Sequence, residues 1–182
     1  MKIISFILIA GLSIFSQTGQ GTYVCKNARI SLYSEAPIEN ISAKSDKGTS
    51  VYNSATGDIA FKVLINSFVF QKSLMQEHFN ENYMESDKYP TASFAGKVNG
   101  TVDMTKDGSY PVNATGVLTV HGVSQNRTIP GTLSVKGGVV SLSSEFMVKC
   151  ADHKITIPSI VFHNIAETIK ISVSATYDAY KK

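Results

Sequence analysis

A two-residue beat of apolar side chains constrains this chain more than any other feature. Ile59, Phe61, Val63 and Ile65 share one face of a run whose other face carries Asp58 and Lys62. The pattern returns in Ala92, Phe94, Gly96 and Val98, in Tyr110 to Val120, in Ile129 to Val135, in Val140 to Val148, and in Ile169 to Tyr177. Strands with one covered and one solvated face show this period. Gly137-Gly138 is a hairpin signal, because glycine reaches the positive φ angles of primed turns. Upstream, Ala28, Ile30 and Leu32 alternate with Arg29, Ser31 and Tyr33, and the stretch through Asp46, Lys47 and Gly48 reads as a polar hairpin-like region.

One stretch breaks the beat. Between Phe68 and Pro90, Met75, Phe79 and Tyr83 recur every fourth position with Leu74 beside them, the period of a helix face. Ser73 followed by Gln76 fits a capping box, and Asn80 and Asn82 are poor helix formers that should stop the helix after two turns. The expectation is a short helical insert near residues 73–80. Its apolar face either seals one end of the sheet or lines the mouth of a pocket, and the two roles are compatible.

Eight or nine antiparallel strands with one apolar face need that face covered, and one short helix cannot cover it. Closure into a barrel covers it and removes unpaired edges at once. The expected fold is all-β, a single antiparallel eight-stranded β-barrel, with a sandwich as the runner-up. Small inward residues such as Gly96, Ala114, Gly116 and Ala175 would leave such a barrel partly empty along its axis. From spacing alone, side chains meeting across the axis remain the simpler expectation.

Lys2, the apolar run from Ile3 to Phe15 and the small Ser16 read as a secretory signal peptide over residues 1–16, with the barrel domain occupying 17–182. The expected location is therefore periplasmic or secreted. The formal charge is +3 with acids and bases interspersed, which gives nucleic acid no support and leaves open a transient membrane contact. Outward Val117, Val139 and Met147 are either scattered surface residues or part of a homodimer face. Cys25 and Cys150, in an oxidising compartment, are candidates for a disulfide.

The four histidines, His78, His121, His153 and His163, have no metal-ligand spacing, and neither a nucleophile elbow nor a phosphate-cradling loop occurs. No metal, cofactor or catalytic constellation is expected. His78 and His121 remain the residues on which a hydrolase would depend. Arg127, in phase with inward Ile129 and Leu133, ranks first among candidates to bond a ligand's polar head, and His78 is the other candidate.

Three separated runs carry a family resemblance: FVFQKSLMQEHFNENYMESDKYPTASFAG, TGVLTVHGVSQNRTIPGTLSV and ADHKITIPSIVFHNIAETIKISVSATY. Together, over roughly Asp58 to Tyr177, they resemble the YceI-like family of exported, lipocalin-like barrels. The resemblance implies a lumen that holds a long isoprenoid chain, of polyprenyl or quinone type, without chemistry. The expected lining is Phe61, Val63, Ile65, Phe94, Leu118, Val120, Phe146 and Val148, with Phe68, Phe70, Leu74, Met75 and Phe79 around the insert. The alternatives are a structural or stress-associated barrel with a filled core, and a hydrolase.

Overall fold

A computed structural model describes residues 21–35, 40–157 and 166–180. The signal segment expected over residues 1–16, and His163, lie outside these. The fold is an all-β, closed eight-stranded antiparallel barrel with one short helix. Its strands are β1 (Thr22–Ser34), β2 (Ile41–Asn53), β3 (Asp58–Leu64), β4 (Val69–Phe70), β5 (Thr91–Asn99), β6 (Gly108–Val120), β7 (Val123–Lys136), β8 (Val139–Lys149) and β9 (Thr168–Ala179). The sheet runs β1-β9-β8-β7-β6-β5-β3-β2, and β1 pairing with β2 closes it. The two-residue β4 adds to the start of β2, where Ala43 pairs with Phe70 and Lys44 with Val69.

Residues 41–53 correct the sequence reading. The polar stretch at Asp46 to Gly48 is the middle of the thirteen-residue β2 rather than a hairpin. Its inward positions are Ala43, Ser45, Gly48, Ser50 and Tyr52, all buried, so small and polar residues hide the alternation. A register shift between Ala28 and Ile30 of β1 places the exposed Asp46 and Lys47 in a bulge. Gly48 is fixed by close approach: a Cβ there would collide with Ile30 Cδ1 and lie 2.7 Å from the Ala28 carbonyl oxygen.

The insert differs in detail. The helix α1 spans Ser73–His78 with Lys72, not Ser73, at its N-cap, and no side chain caps it. Gln76 is used otherwise, its Oε1 accepting the Phe70 N–H at 3.2 Å. Asn80 and Asn82 do not end the helix; it widens into a π-turn over Phe79–Tyr83, where Asn80 Nδ2 donates to the Gln76 carbonyl at 3.0 Å.

The two ends of the barrel differ. At one end Tyr52 lies between Tyr23 and Tyr177, with ring centroids 6.3 Å apart in each pair. Ser50 and Tyr177 share a hydrogen bond of 2.8 Å, and Cys25, Leu133, Val135 and Val140 are buried around them. The other end carries β4, α1, the π-turn, the β6–β7 turn and a 3-10 turn over Cys150–His153.

Candidate functional site

From its middle to the helix end, the barrel encloses an apolar cavity of about 200 Å³. Its wall is a product of the alternation. Ile59, Phe61 and Val63 on β3 face the same space as Phe94 on β5, Leu118 and Val120 on β6, and Phe146 and Val148 on β8. Phe61, Ala114, Val120, Phe146 and Ile171 point inward yet stay only partly buried, because no side chain meets them across the axis. The floor is the packed tyrosine end. The roof is built by the insert: Phe68 and Met84 are buried, and the Phe79 ring packs edge-on against Phe68 at 5.7 Å. Roof residues Phe68, Phe79 and Met84 all border the cavity.

The structure brings together ten of the thirteen expected lining residues. Phe61, Val63, Ile65, Phe68, Phe79, Phe94, Leu118, Val120, Phe146 and Val148 border the cavity. Phe70, Leu74 and Met75 do not. The Phe70 ring lies tilted against Phe79, with centroids 4.9 Å apart, and lines a separate groove with Tyr33 and Lys44. Leu74 is 59% exposed. For Leu74 the reason is helical geometry, since it shares a face with His78 while Phe79 turns another toward the barrel; Met75, one turn before Phe79 on that face, is half-buried without reaching the cavity. His78 is accordingly exposed, away from any position to bond a ligand in the cavity. Arg127 keeps the inward phase, but its guanidinium crosses to β8, where Nη2 donates to the Met147 carbonyl at 2.6 Å.

The candidate disulfide is not formed. Both thiols are free and buried. Cys25 lies at the tyrosine end, where it pairs with Ser50, while Cys150 comes after β8 at the helix end and borders the cavity. Val140 pairs with Tyr177 at the first end, so nearly the whole of β8, on the order of 30 Å, separates the two sulfurs. Burial pushes the Cys150 thiol above its ordinary pKa.

His121 has a structural post. Its Nε2 is 2.8 Å from Glu85 Oε2, its Nδ1 is 3.2 Å from the His153 carbonyl oxygen, and the Tyr89 ring stands edge-on at 4.5 Å. His153 in turn reaches the Val123 carbonyl through Nδ1 at 3.0 Å. This clip ties the loop after the π-turn, the β6–β7 turn and the Cys150–His153 turn together at the roof. Among the described residues, the three non-glycine residues with positive φ, Glu85, His121 and Lys154, all belong to it. No group of three or more potential metal ligands occurs among the described residues.

Sequence reasoning passed over several lining residues. Ile169, Ile171 and Val173 belong to the same alternation and border the cavity, so period two already contained them. Met84 and Ile155 come after irregular turns, and no periodicity marks them.

A family model for the YceI-like domain matches residues 25–177. The chain belongs to the YceI-like family. The match takes in β1 and β2, which the motif resemblance from Asp58 had not reached. Among solved structures, a polyisoprenoid-binding domain from Saccharophagus degradans aligns with TM-score 0.73 at 13% identity, covering 88% of this chain and 99% of that one. BcnA of Burkholderia cenocepacia aligns with TM-score 0.69 at 16% identity, covering 82% and 95%. The YceI protein of Campylobacter jejuni gives 0.62 at 18%, covering 81% and 90%. At these identities the likeness is one of fold. No curated protein shows a significant match.

Proposed function

We propose that this YceI-like chain is an exported, non-catalytic protein that holds a long isoprenoid lipid, of polyprenyl or quinone type, in the hollow half of its barrel for transport, storage or sequestration. The observation that carries this is the contrast between the packed tyrosine end and the apolar space above it. Partly exposed Phe61, Val120, Phe146 and Ile171 gain contacts only if something apolar fills that space. Each CH₂ equivalent buried there contributes about 0.8 kcal/mol. The solved relative described as a polyisoprenoid-binding domain supports the ligand class. The apolar segment at the amino terminus supports export. The post held by His121 speaks against the hydrolase: Glu85 and the His153 carbonyl occupy its two nitrogens, and it does not border the cavity.

Native mass spectrometry of the protein from its exported fraction, with subsequent organic extraction, tests the reading. A stoichiometric isoprenoid is the expected result. An apo mass, with no uptake of added polyprenyl or quinone lipids, would sink it and favour a structural barrel.

A further inference from the structure

The wall of the barrel is not continuous. β6 and β7 pair along their whole length, from Gly108 opposite Val135 to Val120 opposite Val123, and β8 and β9 pair from Val140 to Lys149. β7 and β8, by contrast, pair from Lys136 opposite Val139 to Thr132 opposite Ser143. Beyond that point no pairing joins them among the described residues, although β7 reaches back to Val123 and β8 runs on to Lys149.

Side chains cross the gap instead. Ser144 Oγ donates to the Pro130 carbonyl at 2.6 Å, Arg127 Nη2 to the Met147 carbonyl at 2.6 Å, and Gln125 Nε2 to the Asp152 carbonyl at 2.7 Å. The strand carbonyls of Pro130 and Met147, stripped of ladder partners, need such donors. Pro130 explains where the ladder stops. In an antiparallel strand the N–H and C=O of one residue face the same neighbour. Since the Pro130 carbonyl accepts from Ser144 of β8, its missing N–H also belongs on that side, where proline makes β7 an edge.

The cavity reaches this gap from inside, for Pro130, Gly131 and Ser144 border it. Lys62 and Ser93 border it too, but they are partners in the unbroken β3–β5 ladder. A second interruption, where β2 and β3 cease to pair beyond Thr49 and Lys62, is filled by β4 and by a Ser45–Ser67 hydrogen bond of 2.7 Å. Among the described residues no strand fills the β7–β8 gap.

We propose that this gap is a side entrance to the lumen, latched by Arg127, through which a long-chain lipid enters and leaves edge-on. The proposal rests on the lumen being the lipid site. Threading endwise would require displacing the packed roof of Phe68, Phe79 and Met84. Passage through the wall requires that Arg127, Ser144 and Gln125 swing aside, since no ladder bond is broken, and rotamer changes of this kind are fast. A flexible chain can slide in sideways while a polar head stays outside the wall.

The test is a cross-link. Thr128 and Met147 are exposed and would face each other if the ladder continued. Thr128→Cys with Met147→Cys, joined by a short bis-maleimide, pins the gap shut; Ala95→Cys with Val117→Cys places the same link across the continuous β5–β6 ladder as a control. The probe is a tetraprenyl quinone, monitored by quenching of tyrosine fluorescence, because the chain has eight tyrosines and no tryptophan. The seam link should slow uptake and release by roughly tenfold or more with the bound amount unchanged, and Arg127→Met should speed release by about threefold. Unchanged rates in the seam-linked protein, with normal binding, overturn the side entrance and leave the roof as the route. Failure of the uncross-linked protein to bind any quinone or polyprenol overturns the lumen reading itself, and the entrance with it.

Discussion

Single side chains decide how tightly the closed half of this barrel packs. Gly48 shares its space with Ile30, and the colliding group in Gly48→Ala includes the Ala28 main-chain carbonyl, which cannot rotate away. That variant should lose about 1–3 kcal/mol, read as a lowered urea midpoint with unchanged slope. At the tyrosine end, burial pushes the Tyr52 and Tyr177 phenols above the ordinary value of 10.0. In the unfolded chain they ionise near that value, so above it the unfolded state releases protons that the folded state keeps. The stability tied to these groups is therefore fully present below about pH 10 and is lost as the pH rises further. Denaturation measured between pH 8 and pH 12, on the order of one point per half unit, should show that fall. Tyr177→Phe should flatten it, at a loss of about 1–3 kcal/mol for leaving the buried Ser50 hydroxyl without its partner.

Among the elements, the insert is held less by its own helix than by the π-turn and loop on its C-terminal side. No residue of α1 is buried, and the apolar contacts come from Phe79 and Met84 in and after the π-turn. The Glu85–His121 contact then anchors the loop to the β6–β7 turn. Since the Glu85 side chain is 45% exposed, the contact is partly screened, and Glu85→Ala should destabilise the whole protein by only roughly 1 kcal/mol. Its larger effect should be local. Hydrogen exchange of the Met84–Tyr89 amides should accelerate while that of β6 and β7 does not change; equal acceleration everywhere would mean that the clip supports the whole fold. The π-turn and the positive φ angles at Glu85 and His121 depend on which turn lies opposite, so four-residue spacing announced a helix but not its widening.

For the whole molecule, the division into a packed and a hollow half gives substitutions opposite signatures. Leu133 is fully buried on the closed side, and Leu133→Ala should cost about 2–5 kcal/mol while leaving the bound lipid in place. Ala114 borders the hollow side, so Ala114→Leu should reduce the lipid retained while moving the thermal midpoint little. Leu118→Arg or Val120→Glu, which set a charge against apolar walls, should abolish retention and lower stability as well. Lipid extraction and thermal melts on the same preparations separate the three outcomes. Normal retention in Leu118→Arg would mean that the lipid, if any, lies elsewhere.

Period two alone sets which side chains face inward on seven of the nine strands, because it arises from the pleat and needs no partner. The sequence also favours closure over a sandwich, the β1–β2 pairing completes that closure, and the sequence motifs mark the family. Where inward positions are Ser45, Gly48 and Ser50, the same rule is silent, and the stretch through Asp46, Lys47 and Gly48 reads as a hairpin-like region although it is the middle of β2. Which half of the barrel is filled follows from the folded molecule alone. That depends on distances across the axis, on how large rings such as Tyr52 and Tyr177 meet there, and alternation along a strand carries no information about the opposite wall. For the same reason the fold alone set Cys25 and Cys150 at opposite ends, turned Leu74 and His78 to solvent, drew Arg127 across to the Met147 carbonyl, and parted β7 from β8 at Pro130. Each of these outcomes rests on a contact between residues far apart in the chain, where local pattern has no reach.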